Sequence, residues 1–272
     1  MPKVSLPYEV ICDVVRCLDR AEDKRTLFAC SLTCKSFLSV SRKTIFEVVR
    51  LFWPLSTRSF DHRFLELIQA SPELGSSVRI LHLTFWSLEW VIYVPNAGAI
   101  LAPGLPRVTE LNVDGMRWND VDVDTRTALV SGFQTVNRLN LMFPKFVFSH
   151  EATEFISSFP LLTHLYIYGD AWASLAPNPS YSPLPVNLTF VAVSAYAASV
   201  FAQLMRLELQ PKVQDLSLAF VCDDHNYNVS SLLEILGDDL QDLVFLNSQA
   251  MWAGPGALRS CQGKYSLETS SL

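Results

Sequence analysis

The sequence predicts a mixed α/β chain: a small amino-terminal module of three helices, then a solenoid with parallel strands on its concave face and helices and loops on its convex face. Three observations carry this reading. Short apolar strands of the form x-Leu-x-Leu recur at near-constant spacing between residues 79 and 246. Most of the intervening stretches have apolar residues at helical spacing. Residues 6–49, ahead of the first strand, carry helix-type spacing of their own.

The helical module begins at Leu6-Pro7. Proline suits the first position of a helix, where its missing N–H would have been unpaired anyway. Glu9 follows in the first turn, where the helix dipole favours a negative charge. Val10, Ile11, Val14, Val15 and Leu18 mark an apolar face. Asp19 to Lys24 is a charged break. A second helix is expected from about Lys24 to Ser39, with Leu27, Cys30, Cys34 and Phe37 on one stripe. Ile45, Phe46, Val48 and Val49 suggest a short third helix. So small a core is hard to stabilise alone, and such a module leans on a partner or on the rest of its chain.

Leu6-Pro7-x-Glu9-Val10, then Val14 and Leu18, then Leu27-x-x-Cys30-x-x-x-Cys34-Lys35-x-Phe37, resembles the F-box. Phe37 stands where that family more often has Trp, and Thr33 where it often has Val. The wording of Cys30-Ser-Leu-Thr-Cys-Lys-Ser-Phe is similar to that of F-box proteins of mushroom-type fungi. The resemblance implies an adaptor whose motif docks on a Skp-type linker protein and through it on a cullin ubiquitin ligase. It assigns linker contact to Leu6, Pro7, Val10, Ile11, Val14, Leu18, Leu27, Cys30, Cys34 and Phe37.

The first core residues of the predicted strands are Leu81, Leu111, Leu139, Leu165, Val191, Leu216 and Leu243, at spacings of 30, 28, 26, 26, 25 and 27. One strand per unit at a period in the twenties marks a repeat solenoid, here of about seven units. Helices are expected at Arg63 to Ala70, Asp124 to Phe133, Glu151 to Phe159, Ala197 to Leu207 and Val229 to Leu236. Val94 to Arg107 contains three prolines and reads as a loop. Ala171 to Asn187 is too rich in proline for a helix. This half resembles leucine-rich repeats in degenerate form. The family's Asn or Cys, three residues after the second strand leucine, is replaced by Pro144 and Asp170 in the third and fourth units. The resulting division is a helical module at 1–51, a solenoid at 52–252 and a polar tail at 253–272, read as a disordered extension or as the end of a shortened array.

Strand alternation predicts the exposed face, because the residues between the inward leucines point the other way. Arg138, His164, Tyr166, Tyr168 and Phe190 then form one patch of aromatic and cationic side chains, the composition of a binding hot spot. The patch is expected either to contact a recruited protein or to be packed by the Pro-rich loop after Asp170.

Half of the residues are hydrophobic and 18% are charged, which excludes a disordered chain. Residues 1–60 carry ten Lys/Arg against six Asp/Glu, and the remainder eleven against twenty-one. The basic start suits an acidic partner, as Skp-type linkers are. The acidic remainder argues against nucleic acid. Six cysteines without a familiar ligand spacing read as buried reduced thiols rather than a zinc site, which implies a reducing compartment, cytoplasmic or nuclear. Asn119 to Asp124 alternates carboxylates like half a calcium loop, but Thr125 and Ser131 stand where Gly and Glu are required. Asp223-Asp224-His225 reads as a solvated turn. No signal peptide is expected, since Glu9 and Asp13 follow Met1-Pro2-Lys3-Val4 in place of an apolar run. Leu188 to Met205 lacks charge, but its length and polar residues favour a strand and a buried helix over a membrane span. No nucleophile elbow, P-loop or dinucleotide motif is present. The expected function is therefore a non-catalytic adaptor without cofactor or metal, recruiting an unknown protein substrate; the second reading is a plain repeat scaffold for protein interaction.

Overall fold

The computed structural model of the chain describes residues 7–18, 22–53, 60–85, 97–169, 172–174, 182–194, 211–220, 232–247 and 264–266. Pro7 stands at the cap of the first helix, not inside it: α1 runs Tyr8–Arg16 and the Ile11 N–H donates to the Pro7 carbonyl at 3.2 Å. Ile11 and Val15 form its buried stripe. The second helix is shorter than the sequence suggests. α2 (Lys24–Ser31) ends where Ser31 and Thr33 turn their hydroxyls onto the Phe28 and Cys30 carbonyls, at 2.6 and 2.8 Å. Such local bonds compete with helix continuation. Cys34 is extended, and α3 (Lys35–Phe46) starts after it. Ile45 and Phe46 close α3, while Val48 and Val49, expected in a third helix, begin a strand. Ile11, Val15, Leu27 and Val40 make the core of this module, with Leu18, Phe37 and Ile45 packed against it.

That strand, β1 (Val48–Trp53), is the first of a nine-stranded sheet and straddles residue 51, where the sequence reading divided the modules. It continues with β2 (Ile80–Phe85), β3 (Glu110–Asp114), β4 (Arg138–Met142), β6 (His164–Tyr168), β8 (Phe190–Ser194), β9 (Asp215–Phe220) and β10 (Asp242–Asn247), all parallel. Lys264–Ser266, within the expected polar tail, forms β11, antiparallel to β10. Val49, Leu81, Leu111, Leu139, Leu165, Val191, Leu216 and Leu243 stand opposite one another in a single buried row. A second row runs from Leu51 and Leu83 to Leu218. A third, ahead of the strands, comprises Val78, Val108, Val136, Leu162, Leu188 and Val213. Burying such a side chain contributes about 1.5–3 kcal/mol.

Each junction repeats one hydrogen-bond device. The N–H groups of two successive residues at the start of a strand donate to one carbonyl of the preceding unit, at 2.8–3.1 Å, in seven places. The first acceptor is Glu47, between α3 and β1; the others are Arg79, Thr109, Asn137, Thr163, Thr189 and Gln214.

The opposite side of the core carries α4 (Phe60–Ala70), α5 (Pro72–Gly75), α6 (Ala97–Gly104), α7 (Val123–Gly132), α8 (Ser149–Ser157) and a helical turn at 232–236. α6 occupies the stretch expected as a loop. Its Pro103 lies in the last turn, so it removes one hydrogen bond near the end rather than in the middle of the helix. Leu101 and Ala102 are buried. The Asp122 carboxylate caps α7 by accepting from the Thr125 N–H at 2.9 Å, which accounts for one of the alternating carboxylates there. The expected helix at Ala197 to Leu207 and the Asp223-Asp224-His225 cluster lie outside the described residues.

Where leucine-rich repeats carry the asparagine, this chain has buried Met116 and Pro144. The polar link between units is backbone here: Lys145 N–H donates to the Met116 carbonyl and Trp118 N–H to the Lys145 carbonyl, at 2.7 and 3.0 Å. Arg117 and Lys145 form a parallel bridge, and β5 (Phe146–Phe148) pairs with β7 (Trp172–Ser174) in a second small ladder. Behind it, Trp118, Phe146, Phe155 and Phe159 pack ring to ring with centroids 5.2–6.3 Å apart.

Gly115, Phe143 and Gly169 each follow a strand, and each has a positive φ, of 67°, 48° and 97°. A Cβ on Gly169 would stand 2.5 Å from Phe143 Cδ1, so the turn admits no side chain there. Gly237 also has a positive φ, 48°, but open space around it, so Gly237→Ala should cost about 1 kcal/mol in urea unfolding, from the backbone alone, and Gly169→Ala about 2–3 kcal/mol, from backbone and contact together. Equal midpoints for the two variants would refute the steric account.

Candidate functional site

Two surfaces collect the residues singled out by the sequence. On α1, Pro7, Val10 and Val14 share one stripe at helical spacing and are exposed, Val10 by 42% and Val14 by 46%. Ile11 and Leu27, grouped with them by motif, face the other way into the module's core. Leu18 and Phe37 are half-buried against that core. Leu6 lies outside the described residues. Cys30 is half-buried, but Cys34 is exposed and off the expected stripe, because the break at residues 32–34 separates the two helices. The four described cysteines are free thiols, and none is fully buried as expected: Cys12 and Cys30 are half-buried, Cys17 and Cys34 exposed.

Sequence reasoning missed three exposed apolar side chains of this module: Tyr8, Phe28 and Leu32, the last 86% exposed. Phe28 and Leu32, at i and i+4, form a second apolar stripe beside Leu27, and that spacing was the available signal. Large apolar side chains on so small a module mark an interaction surface.

The second surface is the sheet face turned away from the helices. It brings Arg138, His164, Tyr166, Tyr168 and Phe190 together. Phe190 stacks on His164 with ring centroids 5.4 Å apart and lies 5.1 Å from Tyr166. Tyr166 is 6.5 Å from Tyr168, and the Arg138 guanidinium stands 5.9 Å over the Tyr166 ring. Met142, Ala192, Ala219 and Val244 complete the cluster. Tyr168 is more deeply packed than the rest, 7% exposed, and its hydroxyl has no hydrogen-bond partner among the described residues.

Beside the rings lies a polar half. Asn112 and Asn140, at matched positions on β3 and β4, donate to the Glu110 carboxylate at 3.1 and 3.4 Å, and Asn140 also donates to the Asn112 carbonyl. Glu110 lies 3.8 Å from Arg138. A shallow groove of about 510 Å³ runs along the strand starts from Glu47 and Arg79, past Thr109 and Asn137, to Thr163 and His164. Arg79 is engaged there, donating to the Arg107 and Ser76 carbonyls. The groove therefore offers amide and carboxylate chemistry and ends at the aromatic cluster.

Burial sets the protonation of this face. Desolvation, then Arg50, holds His82 below its usual pKa, and Glu110 opposes the shift. Desolvation, then Arg138, does the same to His164, opposed by Asp215. Burial pushes the Tyr166 phenol up and holds that of Tyr168 well above the usual range. A histidine whose folded pKa lies below its unfolded value stabilises fully above the unfolded pKa, near 6.5, and loses that contribution as pH falls through the folded value. Asp114, raised by burial, acts in the opposite sense. Stability should therefore fall on acidification below about pH 6.5, and the fall should be shallower in His82→Gln/His164→Gln. Thermal unfolding of both proteins across that range measures it; parallel profiles would refute the assignment.

No helix of the described residues is long and apolar enough to cross a membrane, and no group of three or more His, Cys, Asp or Glu among them could hold a metal ion. No curated protein matches the chain. Residues 4–48 match the F-box domain, the module that generally binds Skp-type linkers in cullin ubiquitin ligases, and the match ends within the first strand of the sheet.

Proposed function

We propose that the chain is the target-recruiting subunit of a Skp–cullin–F-box ubiquitin ligase. The F-box helices dock on the linker through Pro7, Val10 and Val14, joined by the exposed Phe28 and Leu32. The leucine-rich-repeat-like sheet holds a target protein on its outer face, and catalysis belongs to other subunits of the ligase. Cytoplasm and nucleus, where such ligases work, are its expected places.

One observation carries the reading. The module matched as an F-box leaves exposed apolar side chains on α1 and α2, although a four-residue core was available to bury them. It then runs directly into the sheet, because Glu47 supplies the first of the seven shared carbonyls. Linker surface and target surface thus belong to one hydrogen-bonded framework, as a recruiting subunit requires.

The test is co-purification with a Skp-type linker. Val10→Asp/Val14→Asp places charge on the exposed stripe and leaves the core intact, so capture should weaken by roughly tenfold or more while the chain stays folded. Tyr8→Phe, which keeps the ring, should retain capture. A deletion through residue 50 is a poor substitute, since it removes half of β1 and opens the β2 edge. Full capture by the double variant, or none by a folded wild type, would leave a repeat scaffold without a ligase role.

A further inference from the structure

We propose that the aromatic half of the sheet face binds a target segment in which a lysine or arginine stands beside an apolar residue. The proposal rests on the target-recruiting reading and names the chemistry of what is recruited.

The first observation is the exposure of the rings. Tyr166 on β6 and Phe190 at the first position of β8 stay partly exposed, whereas the small side chains opposite and beyond them, Ala192, Ser217 and Ala219, are buried. Val244, opposite Ser217, is partly exposed again. The ring faces of Tyr166 and Phe190 are therefore the apolar surface against which one apolar side chain can be laid.

The second observation is charge. Four carboxylates border the cluster at fixed register positions. Asp215 stands opposite Phe190 and Asp242 opposite Asp215. Asp114 stands opposite Met142 and Glu110 opposite Arg138. Against them stand Arg138, already seated over Tyr166 and 3.8 Å from Glu110, and Lys264 at the register position opposite Val244, which leaves the carboxylates in excess. His164 adds no cation at neutral pH, since burial and Arg138 hold it on the neutral side. The negative field agrees with the wider chain, where residues 61–272 carry twenty-one carboxylates and eleven Lys/Arg. Such a border steers a basic partner toward the face and repels an acidic one. Ring faces attract the same cations directly.

The probe is a positional-scanning library of short peptides, each pool fixing one residue type beside a fixed leucine or phenylalanine, offered to the full chain without linker. Pools fixing lysine or arginine should be recovered roughly fivefold or more above those fixing aspartate or glutamate. Asp215→Lys/Asp242→Lys should abolish or invert that preference without lowering recovery of the neutral pools. Tyr166→Ala/Phe190→Ala should lower recovery of every pool about tenfold. An unchanged urea-unfolding midpoint for each variant reports that its fold is intact. A preference for acidic pools, no preference in the wild type, or an unchanged preference in the charge variant would overturn the proposal. Because linker plays no part in recovery, loss of the ligase reading leaves this outcome readable, and the reverse holds.

Discussion

One carbonyl shared by two N–H groups, repeated at seven junctions, is the constraint on which the structure depends. It sets the offset of each unit on the last, and with it the register of the parallel strands. In a sheet a slip of one residue turns every side chain to the other face. The leucine row from Val49 to Leu243 would then face solvent, and the rings of Tyr166 and Phe190 would enter the core. The buried rows and the shared carbonyls enforce the same register independently, one by apolar burial and the other by backbone pairing. That agreement lets unit lengths vary without loss of phase, since the extra residues fall in the helices and loops.

The strands were legible because their signal is local and repeated. An apolar pair at i and i+2, in most cases beginning with leucine, marks each of the seven from β2 to β10 in the main sheet, and the alternation then assigns Arg138, His164, Tyr166, Tyr168 and Phe190 to one face without knowledge of the fold. The elements that escaped depend on distant partners. β5 and β7 have three residues each and exist as strands because they pair with each other. α6 looked like a loop because Pro103 was weighed without its position, and a proline in a last turn costs far less than one in the middle. The break after Ser31 is set by two hydroxyls folding onto carbonyls, which a stripe of apolar residues across the same stretch conceals.

The residues that the motif assigns to linker contact show another limit. A motif records which residues a module needs, not why it needs them. Ile11 and Leu27 hold the three helices together, whereas Val10 and Val14 have no such task, and the motif groups all four. Helical spacing on α1 separates the two stripes once one is known to be buried. On α2 the signal of Phe28 and Leu32 was obscured because Cys34 was assigned to a helix that had already ended.

The junction at Glu47 bears most directly on function. Val48 and Val49, read as the end of the helical module, are the first strand of the sheet, and Phe46 packs on the main core from the last turn of α3. A flexible linker between the modules would leave the outer face free to point anywhere relative to α1. Here the chain passes from helix to paired strand in one residue, with β1 matched to β2 along all six of its positions. Reorienting the F-box helices would require breaking that ladder, together with two N–H bonds to Glu47 and the packing of Phe46. The direction of the outer sheet face relative to α1 is thus fixed by the same hydrogen-bond device that sets the register of every later unit.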